Sequence, residues 1–418
     1  MTEKTLICWQ EAGVDHSARW RSESGSPPPR RVAIADDRMT ADAAYRLACE
    51  GTALLWRGDF QNGRQLLAAM ARRADEKPRK AKAPPASLLD AFHLHRQARS
   101  QRARTLGMLL VPFNSDHSIS LRRAPDAREA CIEAYGVAAE PYIASMRELL
   151  GLISAHEWRK NGVEIPILGS RIHPHYGVFA PTRGEYVSLV AEIPLPELTR
   201  TLSVAFDIGT GTGVLAAVLA RRGIAHIIAT DQDPRALVCA RENLARLGLT
   251  GMEKTSPENE FFHARSLTPT LSREEREQTN RYASFMSAAQ VEVVQADLFP
   301  EGRAALIVCN PPWVPARPGS PLEYAVFDPE SRMLKGFLGG LAAHLETGGE
   351  GWLILSDLAE HLGLRTRAEL LALIETAGLQ VLGKSDVKPH HPRVSDANDP
   401  LHAARKAELT SLWRLAVK

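Results

Sequence analysis

A chain of 418 residues with 44% hydrophobic and 24% charged side chains has a globular composition and the length of two domains. Its formal net charge is only +2, and no run approaches eighteen apolar residues, so a membrane-spanning helix is not expected. Five scattered cysteines without ligand spacing, and no apolar leader after the first residues, point to a cytoplasmic protein.

Residues 1–38 contain the polar run "SESGSPPPRR" and predict a disordered segment. Met39 follows directly and is a candidate start of translation. From there to residue 162 apolar positions recur at helical spacing. The pattern breaks at "EKPRKAKAPPAS" and turns strand-like around "GMLLVPFNSDHSISLRRAPD". A mainly helical substrate-recognition domain is expected over 39–162. Between Arg64 and Arg104 there are 11 basic and 3 acidic residues. Such a stretch suits an anionic partner such as RNA or a ribosome-bound protein, or else is a solvated basic helix face.

Residues 163–418 change rhythm. "SVAFDIG", "HIIATD", "VEVVQAD", "ALIVCN", "GWLILSD", "LQVLGKSD" and "LTSLWRLAV" read as strands. "GVLAAVLARRG" and "PRALVCARENLARLG" read as helices closed by Gly223 and Gly248, the second with Pro at its start. This alternation predicts a doubly wound α/β sheet. "SRMLKGFLGGLAAHL" reads as an amphipathic helix packed on a core. Residues 250–290 hold an insertion where a short loop would suffice, and its "SLTPTLSREEREQ" reads like intergenic repeat DNA captured in frame. A tolerated, disordered insertion is favoured over a substrate lid.

The glycine-rich turn comes first among the functional signals. "FDIGTGTGVLAA" sets Asp207 at a strand end and Gly209, Thr210, Gly211 and Gly213 in the turn to the next helix. Glycines there permit positive φ and close approach of the backbone to a ligand. The next strand ends in Asp231, placed to accept hydrogen bonds from both ribose hydroxyls. A third ends in Asp297, over the place of an adenine ring. An acid before the glycines suits a ligand with cationic groups, and S-adenosylmethionine carries an ammonium and a sulfonium.

The fourth strand ends in Asn310-Pro311-Pro312-Trp313. Its carboxyl end faces the crevice in which a sheet of this kind binds its ligand. A planar nitrogen has its lone pair delocalised. Two acceptors on its hydrogens, the Asn310 side-chain oxygen and the Pro311 carbonyl, would help it pyramidalise and aim that lone pair at a methyl group. Proline holds both oxygens in place, and Trp313 offers a flat face for stacking.

"FDIGTGTGVLA", "ATDQDPRAL", "QADLF" and "NPPW", in this order, resemble the four main motifs of class I S-adenosylmethionine-dependent methyltransferases. The resemblance implies a seven-stranded Rossmann-like methyltransferase sheet. It implies Asp207 and the glycine turn near the methionine moiety, Asp231 on the ribose and Asp297 by the adenine. The tetrapeptide resembles the (Asn/Asp)-Pro-Pro-(Tyr/Phe/Trp) motif of enzymes acting on planar nitrogens. Upstream, "PILG" at Pro166–Gly169 and "APTRGE" at Ala180–Glu185 resemble the linker of protein glutamine methyltransferases. A similar segment occurs in ribosomal RNA guanine methyltransferases. This marks Thr182 and Arg183 as substrate candidates.

Two histidine pairs, His173/His175 and His390/His391, lack carboxylate or cysteine partners at ligand spacing, so no metal is expected. The reading is an S-adenosylmethionine-dependent N-methyltransferase acting on a glutamine side-chain amide of a translation-related protein. The first alternative is an exocyclic base amine in ribosomal RNA or DNA. The second is a non-catalytic cofactor-binding or RNA-docking protein.

Overall fold

The computed structural model describes residues 5–76, 85–249, 289–319, 323–389, 396 and 399–418. In chain order the first half contains β1 (Leu6–Glu11), β2 (Val14–Trp20), β3 (Arg31–Ala35), α1 (Ala41–Cys49), β4 (Thr52–Trp56) and α2 (Phe60–Asp75). It continues through α3 (Leu88–Leu106), β5 (Leu109–Phe113), α4 (Arg128–Tyr135), β6 (Tyr142–Ser145) and α5 (Met146–Asn161).

Helix outweighs strand over 39–162, as the spacing predicts, but the strands share one six-stranded sheet of order β1-β2-β6-β5-β4-β3. The expected disorder of residues 1–38 is corrected here, because β1, β2 and β3 all lie within them. The β1–β2 hairpin closes on Ala12-Gly13, with φ of 49° and 80°. Two positive values match the right-handed strand twist that a two-residue hairpin needs. Ile7 and Trp20 then bury against Leu55, Leu110 and Ile143. The opposite face of the sheet is covered by α1, α2, α4 and α5 around Trp56, Phe60, Met70 and Leu149. Asp59 caps α2 by accepting the Gln61 N–H at 2.9 Å, and it also pairs with Arg122 and Arg123.

A small hairpin, β7 (Val163–Ile165) and β8 (Ser170–Ile172), leads into the second half. Next come α6 (Glu185–Glu192), β9 (Val204–Ile208), α7 (Val214–Arg221), β10 (His226–Asp231) and α8 (Pro234–Arg246). They are followed by β11 (Gln290–Gln295), β12 (Ala304–Cys309), α9 (Arg332–His344) and β13 (Leu345–Ser356). The last elements are α10 (Leu358–His361), α11 (Arg367–Thr376), β14 (Leu379–Val387), α12 (His402–Ala407) and β15 (Thr410–Val417).

These strands form the expected seven-stranded sheet, in the order β11-β10-β9-β12-β13-β15-β14. β15 alone runs against its neighbours. The order reverses between β9 and β12, which opens a crevice at the carboxyl ends of those two strands. All six residues of β12 are buried, so its apolar run is that of a strand covered on both faces. α9 buries Leu334, Phe337, Leu338 and Leu341, the core role expected of it. Each such side chain contributes about 1.5–3 kcal/mol by leaving water. The insertion 250–290 lies outside the described residues except for its last two, and Gln290 opens β11.

The halves touch through side chains. Arg235 pairs with Glu23 at 2.9 Å, and Arg159 with Glu242 at 2.9 Å. Ala91 and Phe92 of α3 pack with Val314, Leu362, Leu401 and Ala404, beside the loop that follows Trp313. The first domain therefore reaches the rim of the crevice.

Candidate active site

Gly209, Gly211 and Gly213 have φ of 71°, 56° and 82°, so all three occupy the left-handed region that favours glycine. At Gly211 a Cβ would meet nothing within 4 Å, and the turn there opens on free space. Gly213 is confined instead: a Cβ would lie 3.3 Å from the Ala240 Cα of α8. Thr210 ties the turn to the neighbouring strand by donating its N–H to the Thr230 carbonyl at 2.8 Å.

Asp207 is 1% exposed and looks into the turn. Its Oδ2 accepts from the Thr210 hydroxyl at 2.6 Å and the Ala216 N–H at 3.0 Å. Burial pushes the carboxyl up to about 6, against the pull of these two donors. In this arrangement it braces the glycine turn from beneath.

Asp231 stands at the lip of β10. Its two oxygens accept the Gly211 N–H at 3.0 Å and the Asp233 N–H at 2.9 Å, and burial raises its pKa. Each carboxylate oxygen has a second lone pair, so vicinal hydroxyls find two further acceptors in fixed positions. Open space at Gly211 and an oriented carboxylate across it fit the ribose end of S-adenosylmethionine.

Asp297 lies beyond β11 with its side chain 62% exposed, and it pairs with Arg332 at 2.7 Å. The next residue, Leu298, has φ of 79° and its carbonyl is held by the Thr230 hydroxyl at 2.6 Å. The loop is thus fixed by its backbone, while the Asp297 carboxylate faces outward.

Asn310 is half-buried at the end of β12, Pro311 is buried, and Pro312 and Trp313 are half-buried. The indole N–H of Trp313 donates to the Asn310 side chain at 2.8 Å. Indole is a donor only, so the atom facing it is the amide oxygen. One lone pair of Oδ1 is thereby used and the other remains. Trp313 itself packs against three apolar clusters, and the Arg183 guanidinium lies 4.9 Å from its ring centroid. The open stacking face expected of Trp313 therefore carries a cation. Arg183 is held by Glu185 at 2.8 Å and Glu408 at 3.0 Å, whereas Thr182 is exposed. The structure brings Asn310, Pro311, Trp313 and Arg183 together.

Several residues escaped sequence reasoning. Asp328 is buried, and its oxygens take the Met333 and Leu334 N–H groups at 3.0 and 3.1 Å, capping α9. Glu330 and Ser331 before that helix have φ of 58° and 55°, a strained corner of the kind that gathers at functional sites. Met333 follows them and faces Gly209, where a Cβ would lie 2.5 Å from its Cε. The run "FDPES" is the only local signal. Asn243 links the Thr212 carbonyl to both backbone groups of His173, which ties the turn to the linker. The sequence marks it only as one polar residue on a helix. His175 pairs with Glu242 at 2.9 Å, and among the described residues no cluster of three His, Cys, Asp or Glu could hold a metal.

One comparison with known proteins covers the glycine turn and Asp231. Residues 194–261 match the family model for ribosomal protein L11 methyltransferase. A release factor glutamine methyltransferase of Cereibacter sphaeroides is 29% identical over 197 residues, 44% of this chain and 54% of that protein. An L11 methyltransferase of Geobacter metallireducens is 40% identical over 57 residues, 14% of this chain and 19% of that protein. The chain thus spans about half the length of the first of these relatives and a fifth of the second. A solved methyltransferase from Pyrococcus furiosus aligns over 64% of this chain and 99% of its own, at 17% identity and a TM-score of 0.36. The second half of the chain has a Rossmann-like methyltransferase fold and resembles the S-adenosylmethionine-dependent L11 and release factor methyltransferases.

Proposed function

We propose that the protein transfers a methyl group from S-adenosylmethionine to the side-chain amide nitrogen of a glutamine in a protein of the translation apparatus. The observation that carries this reading is the Asn310 amide oxygen, locked by the Trp313 indole at the crevice beside the glycine turn. The bound cofactor supplies an electrophilic methyl group on a sulfonium. The residues of this chain do the positioning. Asn310 Oδ1 accepts one amide hydrogen with its remaining lone pair, and the Pro311 carbonyl accepts the other. Together they draw the nitrogen out of conjugation and aim its lone pair. No strong base is required at the start, since the extra proton is acidic once the methyl has arrived.

Asp231 binds the ribose hydroxyls, Asp297 and the backbone around Leu298 border the adenine, and Asp207 with Gly209, Thr210, Gly211 and Gly213 shapes the place of the methionine end. Likeness to a release factor glutamine methyltransferase supports the amide as acceptor. A further support is the covered face of Trp313, which leaves little platform for a base to stack on.

The test is transfer of labelled methyl to unmethylated L11 and to an unmethylated release factor, followed by protease and nuclease digestion. Label released by protease is the expected result. Label released by nuclease from a ribosome-rich lysate would replace the amide with a base, and would give the exposed arginines of α3, such as Arg99 and Arg104, a role in holding RNA. No label in any acceptor would remove the transfer reading.

A further inference from the structure

Glu408 lies two residues before β15, at the edge where β12 and β13 end in Cys309 and Ser356. It is 1% exposed. Its Oε1 accepts from the Ser356 hydroxyl at 2.7 Å and from Arg183 Nη2 at 3.0 Å. Its Oε2 has no partner among the described residues. Glu185 takes Nε of the same guanidinium at 2.8 Å, so two carboxylates converge on one cation.

One carboxylate neutralises an arginine. A second, fully buried and with one oxygen unpaired, is a poor device for stability, because desolvation of a charge is repaid only by complete pairing. What the second carboxylate does accomplish is directional. With Nε and Nη2 both taken, the planar guanidinium cannot rotate about its last bonds, and it lies over Trp313. Nη1 is the group left without a partner among the described residues, and the side chain is 20% exposed. Trp313 in turn holds Asn310. A continuous chain of contacts thus runs from Glu408 through Arg183 and Trp313 to the acceptor-aiming amide.

We propose that Glu408 is a positioning residue for the methyl acceptor: it holds Arg183 over Trp313 so that Nη1 donates to the oxygen of the acceptor's amide. The proposal rests on the amide reading above. It adds a reason for selecting a carboxamide over an amine without a neighbouring oxygen: Asn310 and Pro311 take the N–H groups, and Arg183 takes the C=O.

The experiment compares wild type with Glu408→Gln, Glu408→Ala and Arg183→Ala by two readouts. The first is the indole 15N–1H resonance of Trp313 in the free protein, assigned with Trp313→Phe. Glu408→Ala should move it in the direction that Arg183→Ala moves it, with Glu408→Gln intermediate. The second is steady-state transfer to unmethylated release factor and L11, with S-adenosylmethionine affinity measured separately. The acceptor's KM should rise about 10- to 100-fold in Glu408→Ala, the loss expected for one hydrogen bond from a charged donor, with cofactor affinity unchanged. Glu408→Gln keeps the shape of the buried side chain and guards against simple misfolding. An unmoved resonance would overturn the positioning role. A moved resonance with unchanged KM would overturn the link to the acceptor. A wild type that labels neither protein would strike the amide reading instead, and the resonance would still decide whether Glu408 holds Arg183.

Discussion

Asp207→Asn tests how the glycine turn is built. The wild-type carboxyl titrates at about 6 in the fold and at 3.8 by its ordinary value, with burial as the largest cause. Its folded pKa is raised, so the native state holds the proton longer than the unfolded state does. Below pH 3.8 both states are protonated and the group is neutral to stability. As pH rises to 6 the unfolded chain ionises first, and stability falls. Above 6 the loss is complete. A shift of roughly 2 pH units corresponds to about 3 kcal/mol, of which about 2 kcal/mol falls between pH 4.5 and 7.5. Asparagine keeps an oxygen for Thr210 and Ala216 but does not titrate. Urea unfolding of both proteins without cofactor should therefore show Asp207→Asn gaining about 2 kcal/mol on wild type across that window. Taking the difference cancels every other titrating group. Parallel profiles for the two proteins would refute the argument, and a wild type that gains on the variant would mean that the donors outweigh burial.

Other expectations concern cofactor and acceptor separately. Asn310→Ala should lower transfer at least 100-fold, on the order of the loss of an oriented catalytic contact, while S-adenosylmethionine affinity by calorimetry stays within a few-fold. Equal loss of both would remove the aiming role. Asp231→Ala should weaken cofactor binding about 10- to 100-fold through the lost charged acceptor, and an unchanged Kd would refute the ribose assignment. Gly213→Ala places a Cβ 3.3 Å from the Ala240 backbone at φ of 82°. It should cost about 1–3 kcal/mol in thermal unfolding, and a neutral result would show that α7 and α8 can part.

What the sequence made legible has a physical pattern. The strand–turn–helix of 204–221, the proline-started α8 and the buried run of β12 are local features, each announced by residues within a few positions. The proposed cofactor side follows from such features, because it is built from glycines at positive φ and acids at strand ends, each within a single turn. The first sheet was hidden because β4 and β6 are only five and four residues long, nearly all buried, and set among helices. Short apolar runs of that kind show no alternation to separate them from a helix. The β1–β2 hairpin was hidden because Ala12, not asparagine or aspartate, precedes the glycine of its turn.

The proposed acceptor side is different in kind. Arg183 comes from the segment before α6, Trp313 from the exit of β12, and Glu408 from the approach to β15. They meet because β15 runs antiparallel between β13 and β14, which returns its N-terminal end to the edge where the parallel strands finish. In the linear chain Glu408 is one more charge in "RKAELTS", with nothing to distinguish it from a solvated helix end. The sheet therefore divides its labour. The carboxyl ends of β9, β10 and β11 carry groups that recur at readable spacing and suit the cofactor. The reversed strand, reached only through long-range pairing, gathers Glu408, Arg183 and Trp313, to which we assign the choice of acceptor.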